Sequence, residues 1–305
     1  KLLDKDLIED ISIELNIDPA FLEKDWHAVQ LLLLLSIFKN DKNVQLVFSG
    51  GTSLSKGHKL IKRFSEDLDF ILYLSPDCNL SAGQRRAFRR EILSTISAES
   101  SFKINEKAVL RGDSHRFFKV PIEYDRIFEN ATLRPYLQLE MTFSDLNLPP
   151  KKCQISSILS EVTKKGPELK IDCVSALETA GNKLSGLTWR ILVRDRAASK
   201  DDPAVIRHMH DLAALEERIF TYKKVFIKTA RASLEHDRTR RGGNTIKVLP
   251  ASDRLSQAFQ RLQTDDLYRK EYVQFVDSMS YADEAERIDF DHALSAFERI
   301  IALCS

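Results

Sequence analysis

Residues 44–74 contain two short apolar stretches with the composition of strands, joined through a glycine turn and a segment of helical character. The first stretch, 44–48, runs directly into Ser49-Gly50-Gly51-Thr52, which predicts a tight turn that opens a helix. Residues 67–74 predict a second strand, in which the period of two places Leu68, Phe70, Leu72 and Leu74 on one face and both aspartates, Asp67 and Asp69, on the other. This order restricts the region to a sheet with helical connections.

The rest of the chain continues this alternation of elements and then becomes helical. Up to residue 150 we expect three helices, over 18–38, from the turn to about 63, and over 82–98, and two further strands, over 115–124 and 133–143. Beyond about residue 170 the pattern predicts helices over 174–188, 203–220, 252–264, 266–280 and 289–303. The sequence therefore predicts an α+β protein, with a mixed-sheet domain over residues 1–150 and a helical domain over 151–305.

The segment 48–70 has the residue types that phosphate chemistry needs. Glycines at a turn let backbone N–H groups approach an anion, and the following helix presents its positive end to it. Two aspartates at i and i+2 on a strand point the same way and can reach one divalent ion. A lone Gly-Gly is ordinarily only a turn and a lone Asp-x-Asp only a solvated strand face, but their ordered combination indicates phosphoryl or nucleotidyl transfer.

This order of glycine turn, helix and Asp-x-Asp resembles the DNA polymerase beta nucleotidyltransferase superfamily. Within it, the strings 50–54 (GGTSL) and 63–69 (RFSEDLD) are similar to the AbiEii nucleotidyltransferase toxin family. Glu23-Lys24-Asp25-Trp26 is similar to the opening signature of that family. The resemblance covers most of the chain and is strongest over 20–75. It implies a nucleotidyltransferase fold, with the active site in a cleft between the two domains.

The resemblance also implies a third carboxylate on a later strand, and Glu140 is the candidate because it faces the polar side of an amphipathic strand. Asp67, Asp69 and Glu140 would then be catalytic and hold Mg²⁺ or Mn²⁺. The alternative for Glu140 is a glutamate on a half-exposed strand. Asp125 and Asp145 are weaker competitors for the same role.

Two further catalytic residues are implied in the second half of the chain. The string 178–184 (ETAGNKL) resembles the family's helix with a phosphate-binding lysine, so Lys183 would neutralise phosphate charge. His210-Asp211-Leu212 resembles its later Asp-Leu motif, so Asp211 would orient Lys183 or position the substrate. Both residues could instead be solvated helix side chains. The family's threonine-to-lysine spacing is not matched at Thr179.

The residues around the turn are candidates for binding the nucleotide phosphates. These residues are Ser49, Gly50, Gly51, Thr52, Ser53, Arg63 and Ser65. For the hydroxyls the alternative is capping of the helix, and for Arg63 it is a surface position. Lys56, one helical turn after Thr52, is a weaker candidate.

The net charge of the 305-residue chain is only +1, so it does not indicate which kind of molecule the protein binds. A nucleic-acid surface must therefore be local. Two basic clusters are candidates for RNA contact: Arg85, Arg86, Arg89 and Arg90 on one predicted helix, and residues 223–247 with Arg238, Arg240 and Arg241. Charge runs of this kind are more often simply solvated.

The four cysteines are scattered without a CxxC pair, which argues against a zinc site or a disulfide framework and favours a reducing cytoplasm. The longest apolar run is far shorter than the ~20 residues that span a bilayer, and no signal sequence is visible, so no membrane partner is expected.

The predicted reaction is attack by an acceptor hydroxyl on the α-phosphate of a nucleoside triphosphate (NTP), with release of pyrophosphate. The resemblance implies a toxin of an abortive-infection or phage-defence system with a cognate antitoxin protein, and RNA, including transfer RNA, as acceptor. Transfer to a protein or a small molecule and an inactive nucleotide-binding regulator are the alternatives. The sequence does not determine the acceptor, the preferred base, the antitoxin or the oligomeric state.

Overall fold

The computed structural model describes residues 3–199, 201–240 and 242–304, and these residues form two compact units. Unit 1 comprises the chain up to residue 59 together with 64–174, and unit 2 comprises 60–63 together with the chain from 175 onward. The predicted helical domain over 151–305 therefore begins later than expected. Residues 151–173 still belong to the sheet-containing unit, because they add two strands to the sheet.

Unit 1 contains a mixed sheet, which confirms the predicted fold class. Its strands, as far as the chain is described, are β1 (Gln45–Ser49), β2 (Asp67–Tyr73), β3 (Phe102–Ile104), β4 (Leu110–Gly112), β5 (Phe117–Tyr124), β6 (Leu137–Phe143), β7 (Lys151–Ile155) and β8 (Leu169–Cys173). The strand order is β3-β5-β6-β2-β1-β8-β7, with β4 added to β5. β2 runs parallel to β6 and β1 parallel to β8, and the other pairs are antiparallel.

Helices surround the sheet in unit 1. They are α1 (Lys5–Leu15), α2 (Pro19–Ser36), α3 (Gly50–Thr52), α4 (Ala82–Ala98) and α5 (Ile158–Val162). α2 begins as predicted, with the Asp18 carboxylate accepting from the Ala20 N–H at 2.9 Å and Pro19 in the first turn. The apolar faces of α2 and α4 join the leucines and phenylalanines of β2, β5 and β6 in one core.

The helix that follows the glycine turn is much shorter than the predicted helix to about residue 63. α3 continues only as a π-helical turn, Ser53–Gly57. At its end the backbone passes close to the sheet: a Cβ on Gly57 would lie 2.8 Å from the Cys173 sulfur. Packing against β8 therefore ends the helix early, and residues 60–63 join unit 2.

Unit 2 is helical. Its helices within the described residues are α6 (Ala176–Val193), α7 (Arg207–Ala214), α8 (Glu216–Thr221), α9 (Lys223–His236), α10 (Asn244–Lys247), α11 (Ala251–Thr264), α12 (Asp266–Met279) and α13 (Phe290–Ala302). The predicted helix over 203–220 is divided into a 3₁₀ turn, Pro203–Ile206, followed by α7 and α8. α9 was not predicted as a helix, because its lysine-rich start looks like a basic surface stretch.

α6 is the central helix of unit 2, and most of its residues are buried. It packs directly against the backbone of α9 at Gly181, where a Cβ would lie 2.9 Å from the Ala230 nitrogen. Such a close approach needs glycine. No helix in the described part of either unit is both long and apolar enough to cross a membrane.

Two glycines of α6 give a matched test of this packing. Gly181→Ala should destabilise unit 2 by about 1–3 kcal/mol, because the new methyl group would force α6 away from α9. Gly186→Ala lies in the same helix with nothing within 4 Å of its Cβ position, so it should stabilise by up to about 1 kcal/mol through helix propensity. Urea unfolding of both variants measures the difference, and equal effects would contradict the proposed backbone contact.

Candidate active site

The Asp-x-Asp pair lies on a central strand of the sheet with its neighbours in register. Asp69 on β2 pairs with Ser49 on β1 and with Glu140 on β6, and Glu140 pairs in turn with Lys119 on β5. Directly paired residues share a face of a sheet, so these four side chains form one row. Asp67 lies on the same face two residues earlier. The structure therefore brings the three predicted carboxylates to one face, opposite the core.

The glycine turn lies directly against this row. Gly50 has a left-handed φ of 74°, and a Cβ there would lie 1.9 Å from Oδ2 of Asp69. The Asp69 carboxylate is therefore directed at the turn, and glycine is required for both the backbone conformation and the space. Gly51 follows in α3 and is buried.

The hydroxyl residues of the turn have different surroundings. The Thr52 hydroxyl donates to the Asp67 carbonyl oxygen at 2.6 Å and so fixes the start of α3 to β2. Ser53 is fully buried, so its hydroxyl is not available to a phosphate in this conformation. Ser49 at the end of β1 and Ser65 before β2 are only half-buried. Ser49 and Ser65 therefore stay candidates for phosphate contact, whereas Thr52 has a structural role.

Basic side chains form ion pairs with Asp67 and Glu140. Nη2 of Arg134 lies 2.8 Å from Oδ1 of Asp67, and Nζ of Lys119 lies 2.7 Å from Oε1 of Glu140. Carboxylates that lie close together repel one another, so cations from the same chain stabilise them. Among the residues that the structure describes, no three His, Cys, Asp or Glu side chains are grouped so as to hold a metal ion. Metal binding by Asp67, Asp69 and Glu140 stays a prediction that requires these ion pairs to open.

Arg134 and Lys119 were missed by the sequence analysis. Arg134 is fixed by Glu66, whose Oε1 accepts from the Arg134 backbone N–H at 2.8 Å. Glu66 is also paired with Lys24 of α2, which donates to the Arg134 carbonyl oxygen at 2.7 Å. The signal for Lys119 was its place on an alternating strand, on the same face as the polar side chains of β6.

The charged string at the start of α2, which carries the family resemblance, has a structural role. Glu23 accepts from the backbone N–H groups of Ile127 and Phe128 at 2.7 and 3.0 Å. Asp25 forms a buried ion pair with Lys56 and accepts from the Ile158 N–H at 2.8 Å. Lys56 is thus paired with Asp25 of α2 rather than placed to bind an anion at the glycine turn.

In unit 2, three of the predicted site residues form a buried charge cluster. Asp211 accepts from Nε and Nη2 of Arg63, both at 2.6 Å, and lies 2.6 Å from Nζ of Lys183. Although burial alone would raise the pKa of Asp211, the charges of Arg63 and Lys183 hold it well below its usual value. Burial lowers the pKa of Lys183, an effect that the Asp211 charge opposes. Asp211 therefore holds the Lys183 side chain in place, and the catalytic roles of both residues stay predictions.

Arg63 does not have the surface position that was the alternative for it, and its phosphate contact stays a prediction. It is only 2% exposed, and Nε and Nη2 on one edge of its guanidinium donate to the two carboxylate oxygens of Asp211. Sequence spacing could not show this, because Arg63 lies just before Ser65 in the chain but belongs to unit 2. Thr179 is also buried, whereas Asp125 and Asp145 are exposed.

The comparisons with known proteins agree with this geometry. A family model described as "Nucleotidyl transferase AbiEii toxin, Type IV TA system", in which TA stands for toxin–antitoxin, matches residues 32–296. Among solved structures, MenT4, a nucleotidyltransferase toxin from Mycobacterium tuberculosis, aligns with a TM-score of 0.54 at 18% identity, covering 99% of each chain. At that identity the likeness shows a common fold. No curated protein matches the chain.

The contact between the turn and Asp69 can be tested with two glycines of unit 1. Gly50→Ala and Gly166→Ala both place a side chain at a left-handed φ, which costs about 1–2 kcal/mol. Only Gly50 has a neighbour in the way, since nothing lies within 4 Å of a Cβ at Gly166. We expect Gly50→Ala to lower the free energy of unfolding by a further 1–3 kcal/mol or so. Equal losses in urea titrations would mean that Asp69 moves aside freely.

Proposed function

Because the chain belongs to the AbiEii nucleotidyltransferase toxin family of type IV toxin–antitoxin systems, we propose that it transfers a nucleoside monophosphate from an NTP to a hydroxyl group of RNA. Transfer RNA is the acceptor to test first. The protein would act in the cytoplasm, where these substrates occur, and in an abortive-infection or phage-defence system. Its family also implies a cognate antitoxin, which we propose to be a protein.

The observation that carries this proposal is the contact of the Asp69 carboxylate with Gly50, in a row that continues to Glu140. A nucleotidyltransferase needs groups that bind the triphosphate next to carboxylates that would hold the divalent cations which neutralise it. At this point on the sheet the backbone of Gly50, which carries no side chain, lies against the Asp69 carboxylate. This juxtaposition supports binding of an NTP with its phosphates over the turn.

The side chains present fit a divalent cation in their chemistry. Asp67, Asp69 and Glu140 offer only hard oxygen donors, which Mg²⁺ and Mn²⁺ prefer. When bound, such an ion neutralises the triphosphate and stabilises the leaving pyrophosphate. Ion binding by Asp67 and Glu140 requires Lys119 and Arg134 to leave these carboxylates, and in this proposal the two basic side chains would then pair with phosphate oxygens of the NTP.

Lys183 and Asp211 complete the proposal from unit 2. In the structure Lys183 is buried and paired with Asp211, so contact with a phosphate oxygen requires this charge cluster to become accessible. With little water to compete, the lysine would then bind such an oxygen strongly. Asp211 fixes this charge in position through the 2.6 Å contact. We assign Lys183 to phosphate neutralisation and Asp211 to its orientation, with Arg63 as the second cation that stabilises Asp211.

The experiment is a labelling reaction with NTPs that carry ³²P at the α-phosphate, Mg²⁺ and total RNA. Wild type should label RNA, and Asp69→Asn should reduce the rate at least about 100-fold, because a lost metal ligand removes several kcal/mol of transition-state stabilisation. Asp145→Asn is the matched control, since Asp145 is an exposed carboxylate beyond the end of β6. It should label RNA like wild type.

Other outcomes would overturn parts of the proposal. Labelling of a protein or a small molecule, with no labelled RNA, would support nucleotidyl transfer but exclude RNA as the acceptor. A folded wild type that labels no acceptor with any of the four NTPs would favour a nucleotide-binding regulator. Equal activity of Asp69→Asn and Asp145→Asn would show that Asp69 is not a catalytic residue.

A further inference from the structure

The four arginines of α4 have two different roles. Arg85 and Arg89 are buried, whereas Arg86 and Arg90 are exposed and lie one helical turn apart. The buried pair bonds to the segment before β5: Arg85 donates to the Ser114 carbonyl oxygen at 3.0 and 3.1 Å, and Arg89 lies 2.9 Å from Nδ1 of His115. Only half of this basic cluster is therefore available to a partner.

The segment that these arginines hold is strained. Asp113, Ser114 and His115 have φ values of 47°, 50° and 64°, three consecutive non-glycine residues in the left-handed region. Each such residue costs about 1–2 kcal/mol, so the conformation persists only because contacts fix it. The bonds from Arg85 and Arg89 supply such contacts.

This arrangement adds a third exposed arginine to the pair on α4. Arg111 on β4 is paired with Phe118 on β5, so it faces the side of the sheet that packs against α4. Burial, followed by the positive charges of Arg111, Arg86 and Arg90, lowers the pKa of Arg89, so these three side chains surround the same buried arginine. The exposed residues Arg86, Arg90 and Arg111 thus form one positive surface, which we call the α4–β4 arginine surface.

The charge of this surface is not neutralised within the protein. In the described part of the chain, none of these three side chains forms an ion pair with a carboxylate, and the nearby Glu91 is bound by Lys42. The large exposed apolar residue next to the surface is Leu110, which the alternation of β4 places on the opposite face. A protein interface normally has an apolar centre, whereas a phosphate backbone needs only accessible cations.

We propose that the α4–β4 arginine surface binds the phosphodiester backbone of the acceptor RNA. This inference rests on the proposed function for the identity of the RNA. Arginine suits this contact because its planar guanidinium binds phosphate through two parallel hydrogen bonds. The bonds of Arg85 and Arg89 fix the backbone on which this surface is built. RNA binding therefore has to order only the side chains of the three exposed arginines.

The test is RNA binding without nucleotide or metal, measured by fluorescence anisotropy of 5′-labelled, unfractionated transfer RNA over a range of salt. The triple variant Arg86→Gln, Arg90→Gln and Arg111→Gln should bind at least tenfold more weakly. The slope of log affinity against log salt should fall by about 2–3, at about 0.7–0.9 for each lost phosphate contact. The matched control is Lys151→Gln, Lys165→Gln and Lys170→Gln, which removes the same charge from exposed lysines of unit 1 that lie outside both basic clusters.

The control should bind RNA within about twofold of wild type, and both variants should melt like wild type. Equal loss in the two variants would show that only net charge matters and would overturn the inference. Displacement of RNA by polyglutamate at matched charge would instead indicate a surface for an acidic protein. Asp69→Asn should keep RNA binding while losing transfer, so a failure of the proposed reaction can be distinguished from a failure of this surface.

Discussion

The register of β2 between β1 and β6 is the constraint on which the candidate site depends. It places Ser49, Asp69 and Glu140 in one row and brings the Asp69 carboxylate against Gly50. A shift of one residue would turn both aspartates into the core and expose Leu68 and Phe70, so burial of the apolar face fixes the polar face as well. In unit 1 the strand register that buries the apolar core therefore also positions the carboxylates of the candidate site.

Buried charges give the second level of organisation. Glu23, Lys24 and Asp25 are consecutive on α2, yet each is buried and bound to a different part of unit 1. Loss of one partner from such a pair leaves an uncompensated charge and typically costs 3–5 kcal/mol. Glu23, Lys24 and Asp25 therefore hold the segments to which they are bonded in place. Asp211 likewise holds Arg63 and Lys183 in place in unit 2.

The sequence analysis was most successful where a local pattern determines the structure. The alternation of β2, the cap of α2 and the bounds of α4 (Ala82–Ala98) follow from spacing and capping, and the structure confirms them. Periodicity also identified the polar face with Glu140. Short strands with exposed lysines, such as β7 and β8, have too few residues for a clear alternation and were missed.

Contacts between residues distant in the chain could not be predicted in this way. Arg134 is 67 residues from its partner Asp67, and Arg63 is 148 residues from Asp211. Nothing in the local pattern distinguishes a buried arginine from an exposed one, so Arg63 was assigned to phosphate and Arg85 and Arg89 to RNA. Arg241 of the second basic cluster lies outside the described residues.

The central claim is that Asp67 and Asp69 bind a divalent cation beside the glycine turn when a nucleotide is present. Anomalous diffraction from crystals grown with Mn²⁺ and a non-hydrolysable NTP analogue tests it most directly. The account predicts a manganese peak about 2.0–2.3 Å from carboxylate oxygens of both aspartates, with Arg134 released from Asp67. A nucleotide bound elsewhere, or no peak while the Arg134–Asp67 pair persists, would contradict the account.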